Sequence, residues 1–339
     1  FNQLGKLEYI FLNEKVGRGE KRMEKIKKLD ERIYLLDGFD MAFAERTGSY
    51  LLLEEDITLI ETGPSPSVNH IKEALTTLGI GLEEIKYIIV THIHLDHAGG
   101  SGLLLKDCPQ AMLVVHPRGE RHLVDPTKLI AGAKAIYGEH FSNLFDPVIP
   151  VPKERILVRG EGDKLKIGLH CVLKFFDTPG HARHHFSIYD PVSKGIFTGD
   201  TAGIRYAPLA RDGIDFYLPS TSPNHFDPEE MKASISRLRK LPLERIYFGH
   251  FGMTEKPYSA LQEVDQWIDI FMEIAKESFE KSQGDYKELA KRLFERLRKT
   301  LQSLGVKDDH KVYSMLKLDM EINALGIMDY LKRQNRDQK

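Results

Sequence analysis

Short apolar runs punctuated by Gly, Asp and Glu fill the first half of the chain. Ile33-Tyr34-Leu35-Leu36, Ser49-Tyr50-Leu51-Leu52-Leu53 and Ile57-Thr58-Leu59-Ile60 predict an antiparallel meander. A helix is expected next, with Ser67 as N-cap, Val68, Ile71, Leu75 and Leu78 at helical spacing, and Gly79 as the stop. The run Tyr87-Ile88-Ile89-Val90 is apolar throughout, the pattern of a strand buried on both faces. Further strands are predicted at Met112–Val115, Cys171–Phe176, Phe186–Tyr189, Gly195–Thr198 and Ile246–Phe248. Before the last of these, Asp227 is expected to cap a helix, with Pro228 in its first turn and Glu230 completing a capping box.

Beyond about residue 254 the strand signal stops. Leu261, Val264, Ile268 and Phe271 form one amphipathic stripe, and Leu289, Leu293 and Leu297 a second. A third helical segment runs from Asp309 through Met315, Ile322 and Leu325, with Gly326 as a break. Three regions follow. Residues 1–22 are a terminal extension, 23–254 a mixed α/β domain, and 255–339 a helical region. The opening residues Phe1–Arg22 look unlike the rest, and Met23 is expected to be the natural start. No basic, apolar and small-residue succession marks a signal peptide, and no run of about 18 apolar residues marks a membrane span.

Composition narrows the function. The 339 residues carry 48 Lys+Arg and 50 Asp+Glu, a net charge of −2, which argues against nucleic acid and anionic membranes as partners. Two cysteines, in no CxxC pair, make no disulfide framework and point to a reducing, cytoplasmic setting. The 14 histidines are unevenly placed. His92-x-His94-x-Asp96-His97 packs four metal ligands into six residues directly after the apolar run, where strand-end positions hold ligands rigidly. That density suggests two adjacent metals and is a poor fit to a merely solvated loop. Three more strand ends bear a ligand type: Pro179-Gly180-His181, Gly199-Asp200 and Gly249-His250.

These motifs, in this order and with Gly99-Gly100 after the first, resemble the metallo-β-lactamase-fold hydrolases over roughly residues 31–251. The segments His116-Pro117-Arg118-Gly119, Pro179–His185 and Met320–Gly326 resemble an uncharacterised prokaryotic branch related to glyoxalase II and lactonases. The resemblance implies a four-layer αβ/βα sandwich, here with a helical C-terminal appendage. It implies two divalent ions, zinc first, with iron or manganese as alternatives. Carried over by position, His92, His94 and His181 would bind one ion, Asp96, His97 and His250 the other, and Asp200 would bridge them. The family's first motif carries Asp where this chain has Glu61, which is expected to accept a hydrogen bond from a ligating histidine. His185 is expected to hydrogen-bond beside the ligands.

The implied reaction is hydrolysis of a small ester, thioester or lactone by a metal-bridging hydroxide. Asp96 would also accept a hydrogen bond from the nucleophile, and Tyr206 or Arg205 would be the donor to the developing oxyanion. The alternative is a persulfide dioxygenase-like oxidoreductase on one iron. A small-molecule substrate is the expected partner, and a homodimer is allowed.

Overall fold

The computed structural model of the protein describes residues 25–282 and 285–337. The expectations about residues 1–22 and Met23 fall outside the described residues. The chain divides into two compact units. The first takes residues up to Gly160 with Lys164–Leu173, and the second takes Glu161–Asp163 and everything from Lys174.

The strands of the first unit are β1 (Ile26–Lys28), β2 (Ile33–Asp37), β3 (Gly48–Leu52), β4 (Ile57–Ile60), β5 (Ile85–Ile89), β6 (Met112–Val115), β7 (Ile156–Val158) and β8 (Lys164–Lys166). Its helices are α1 (Val68–Thr77), α2 (Leu95–Ala98), α3 (Ser101–Asp107), α4 (Glu120–Val124), α5 (Thr127–Tyr137) and α6 (Phe141–Phe145). Strands β1 to β7 lie side by side in chain order. The predicted meander β2–β4 is antiparallel, β1 adds to it antiparallel to β2, and β4–β7 are parallel. The change of direction follows from the connections. Tight turns join antiparallel neighbours, whereas each parallel pair needs a helical crossover. Ile60 stands opposite Ile89, and Ile89 opposite Val114, so the residues that follow leave the sheet at one edge.

Helix α1 matches the predicted stripe, with Val68, Ile71 and Leu75 buried. Gly79 stops it at φ +73°. Ser67 does not cap it. A 3₁₀ turn, Ser65–Ser67, precedes the helix, and Ser67 is already helical at φ −70°, ψ −20°.

The second unit holds β9 (Val172–Asp177, whose first two residues fall in the first unit), β10 (Phe186–Asp190), β11 (Gly195–Phe197), β12 (Ile204–Arg205), β13 (Tyr217–Leu218), β14 (Arg245–Tyr247) and β15 (Met253–Thr254). Its helices are α7 (Ala207–Arg211), α8 (Pro228–Leu238), α9 (Pro257–Ser282), α10 (Tyr286–Ser303) and α11 (Val312–Asp337). Its sheet runs β15-β14-β11-β10-β9, and β12 pairs with β13 apart from it. Strand β10 is antiparallel to β9 and β11, and β11 is parallel to β14. Strands β9, β11 and β14 therefore point the same way, and the segments after all three emerge at one edge.

The helical tail is present as three helices that pack on one another. The predicted stripes of α9 and α10 are buried. Helix α11 departs from expectation. It passes through Gly326 unbroken. Ile322 and Leu325 are only half-buried, while the polar Asp319 and Asn323 are buried. Among the described residues no helix is long and apolar enough to cross a membrane.

Gly180 shows how tightly the second unit is closed. At φ +121° it occupies backbone space that disfavours any Cβ, and a Cβ there would lie 2.2 Å from the Met231 backbone of α8. Asp227 caps α8 through Oδ1, which accepts from the Glu229 and Glu230 amides. The expected box with Glu230 is displaced, because the Asp227 amide donates to the Gly180 carbonyl at 2.8 Å. Gly180→Ala is expected to cost at least about 2 kcal/mol of stability, read as a lower denaturant midpoint. An unchanged midpoint would show that the turn can move off α8.

Candidate metal centre

Each unit brings a set of ligand-type side chains to the edge of its sheet. In the first unit, β4 and β5 are parallel neighbours, so Glu61 and Thr91 lie side by side just past their ends. Glu61 takes a left-handed conformation at φ +68°, and its amide donates to the Ile89 carbonyl at 2.8 Å. Its Oε1 accepts the Thr91 amide at 3.1 Å. The other oxygen, Oε2, lies 3.6 Å from His97 Nδ1, too far for a good hydrogen bond but facing it. Glu61 is thus a buried brace for the loop that carries the histidines.

That loop is short and ordered. His94 sits at the N-cap position of α2, and Asp96 and His97 follow within the helix. The rings of His92 and His97 are 4.2 Å apart between centroids, and those of His92 and His94 4.6 Å. His97 Nε2 lies 3.5 Å from Asp96 Oδ2. Three imidazoles this close cannot all be protonated at modest cost, because like charges in a desolvated site repel strongly. Neutral imidazoles beside a carboxylate are a donor set suited to a divalent cation.

In the second unit the three same-edge exits carry His181, Asp200 and His250. The His181 Nδ1 lies 2.9 Å from the Ser220 carbonyl. A carbonyl oxygen only accepts, so Nδ1 carries the proton and a neutral His181 turns its Nε2 lone pair toward Asp200 Oδ2, 3.5 Å away. His250 Nε2 lies 3.4 Å from the same oxygen. The Ser220 hydroxyl donates to it at 2.8 Å. Lone pairs aimed at a common carboxylate repel one another unless a cation or proton sits among them, so the residues present fit a metal. Gly249 N–H reaches the Gly199 carbonyl at 3.3 Å, which ties the His250 turn to the Asp200 turn.

His185 is held at the mouth of β10. Its Nε2 accepts the Asp200 amide at 3.2 Å, and its Nδ1 lies 2.9 Å from the Thr178 hydroxyl. Both nitrogens are thereby used, so His185 orients Asp200 from behind. His116 follows β6, and its Nδ1 accepts the Arg118 amide at 3.1 Å, a loop hydrogen bond. Tyr206 is 1% exposed and donates its hydroxyl to Asp319 Oδ2 of α11 at 2.8 Å. Arg205 packs its guanidinium over Gly252, where a Cβ would lie 2.7 Å from Nη1. Ser220 went unrecognised in the sequence, because a serine before Thr-Ser-Pro carries no ligand signature of its own.

Among the described residues, the side chains of His and Asp suited to holding a metal ion are His92, His94, Asp96 and His97 in the first unit and His181, Asp200 and His250 in the second.

A family model described as the metallo-β-lactamase superfamily matches residues 45–250, more than half of the chain. A metallo-β-lactamase fold-containing protein of Sulfurisphaera tokodaii is 26% identical over 215 residues, which is 62% of this chain and 75% of that protein. A hydroxyacylglutathione hydrolase of Idiomarina loihiensis is 27% identical over 169 residues, 50% of this chain and 48% of that enzyme. The crystal structure of a metallo-β-lactamase family protein from Thermus thermophilus matches with a TM-score of 0.64 at 19% identity, covering 91% of this chain and 95% of that one. At that identity the likeness speaks for the fold.

The brace at Glu61 is testable. Glu61→Ala strands the buried Thr91 amide and is expected to cost about 1–3 kcal/mol, whereas Glu61→Gln keeps an acceptor and should cost less. Paired thermal melts read the difference, and equal losses for both variants would contradict the assigned role.

Proposed function

The chain belongs to the metallo-β-lactamase superfamily and is a metal-dependent hydrolase, and on that premise we propose that it is dinuclear and cleaves a small ester, thioester or lactone. His92, His94 and His181 would hold one divalent ion, and Asp96, His97 and His250 the second. Asp200 would bridge them. The observation that carries this reading is the convergence on Asp200: two imidazole Nε2 atoms lie 3.4 and 3.5 Å from one carboxylate oxygen, with His181 turned by Ser220 to offer its lone pair. A single carboxylate approached by two histidines is the arrangement a bridging ligand requires. Zinc is the metal we favour, since imidazole and carboxylate ligands suit it.

Two divalent ions bound there would supply a water of lowered pKa and polarise the attacked carbonyl. The chain's own residues do the rest. Glu61 and His185 fix the backbone on which the ligands stand. Asp96, whose side chain keeps 26% of its exposure, is the carboxylate open enough to take and return a proton. Arg205, packed two residues beyond His250, is the candidate cationic donor to an oxyanion. Tyr206 is given no step, since its hydroxyl is bonded to Asp319. The thioester part of the substrate class is supported by the name of the hydroxyacylglutathione hydrolase, of which this chain spans about half. Within the class, a small molecule fits a chain with a net charge of −2 better than nucleic acid does.

A panel of thioesters, lactones, aryl esters and phosphotriesters, run on protein of known metal content, tests the reading. Turnover is expected on a carbonyl ester or thioester, and His94→Ala or Asp200→Ala should fall to background while circular dichroism stays parental. Parental turnover in either variant would refute the assignment.

A further inference from the structure

Helix α11 buries Asn323, and with Gly326, Asp329 and Arg333 along the same face it holds the chain segment between Ser220 and Asp227. Asn323 is 2% exposed. Its Oδ1 accepts the Thr221 amide at 2.6 Å and lies 2.8 Å from the Thr221 hydroxyl, which also reaches the Asn323 carbonyl at 2.9 Å. One turn on, Gly326 lies so close that a Cβ would come within 2.3 Å of the Thr221 carbonyl. Asp329 Oδ2 accepts the Asn224 amide at 3.1 Å, and Arg333 donates to the Phe226 carbonyl at 2.7 Å. Positions 323, 326, 329 and 333 repeat at helical spacing, so one face of α11 grips the loop Thr221–Phe226, which turns at Asn224. The residue just before that grip is Ser220, whose carbonyl sets the His181 tautomer and whose hydroxyl holds Asp200.

We propose that Asn323 is a positioning residue for the metal centre, acting through Thr221 and Ser220 on His181 and Asp200. The inference rests on the metal-site reading above. The physical reason is register. Ser220 serves two ligands at once, 2.9 Å from one and 2.8 Å from the other, and a loop residue meets both demands only if its neighbour is fixed. Asn323 fixes it with a backbone-directed amide that only an acceptor of the same length reproduces. The helical tail then tunes the ligands from behind.

The test is divalent-metal affinity, measured with Zn²⁺ alone by chelator competition, and the visible spectrum of the Co²⁺-loaded full chain. Asn323→Ala should weaken affinity about 10-fold, the lower end for residues that orient ligands, and alter the Co²⁺ spectrum. Asn323→Asp, which keeps the acceptor, should restore affinity to within about twofold of the parent on the same argument. Leu316→Ala, also buried on α11, controls for lost helix packing and should lower the melting temperature without moving affinity or spectrum. Should Asn323→Ala fail to fold, Thr221→Val removes only the hydroxyl and should weaken affinity about threefold, a partial form of the same effect. Parental affinity and spectrum in Asn323→Ala, or in Thr221→Val if that is the variant that folds, would overturn the proposal alone. So would an equal loss in Leu316→Ala. A parent chain that binds no divalent ion would remove the metal-site reading and this inference together.

Discussion

A buried carboxylate with several claimants organises the second unit. Asp200 is 2% exposed and takes the Ser220 hydroxyl on Oδ2, while the His181 and His250 Nε2 atoms approach the same oxygen. Its amide is spent on His185. Burying a charge is costly unless its surroundings compensate. Here the Ser220 hydroxyl compensates in part, and the His181 and His250 Nε2 atoms are placed to share a cation with it, a convergence that requires β9, β11 and β14 to point the same way. The strand order of the sheet is therefore also the geometry of the site. The first unit repeats the principle with β4 and β5, whose parallel ends set Glu61 beside Thr91 and so brace the loop bearing His92, His94, Asp96 and His97.

The helical tail is tied into this arrangement. It offers two buried polar side chains on α11, and both are bonded to the segments that follow Asp200 in the chain: Asp319 to Tyr206, and Asn323 to Thr221. A helix that served only to cover a core would bury leucines at those positions, as α10 does with Leu289, Leu293, Leu297 and Leu301. The cost of burying Asp319 and Asn323 is offset by hydrogen bonds that hold loops in register, which is the use polar groups in a core serve best.

The features that could be read from the chain alone were the local ones. The meander, α1, the tail helices and the ligand-bearing strand ends all announce themselves within about ten residues, through period, capping residues or ligand density. What escaped was set by distant partners, except at one local turn. Ser67 looks like a cap but lies inside a turn that has already begun. The Glu230 box is displaced because the Asp227 amide finds Gly180. Gly326 looks like a helix break until the Thr221 carbonyl appears against it. Asn323 and Thr221 are 102 residues apart, and neither carries a periodic or motif signal linking it to the other. Tyr206 was plausible as a catalytic donor by its place after Asp200, and only its buried bond to Asp319 redirects it.

The central claim is that seven side chains form one dinuclear hydrolytic centre. Metal content measured together with turnover addresses it most directly. Elemental analysis of the purified chain should give two divalent ions per chain, with ester or thioester hydrolysis rising as the second ion binds. One iron per chain, with oxygen uptake and no hydrolysis, would contradict it.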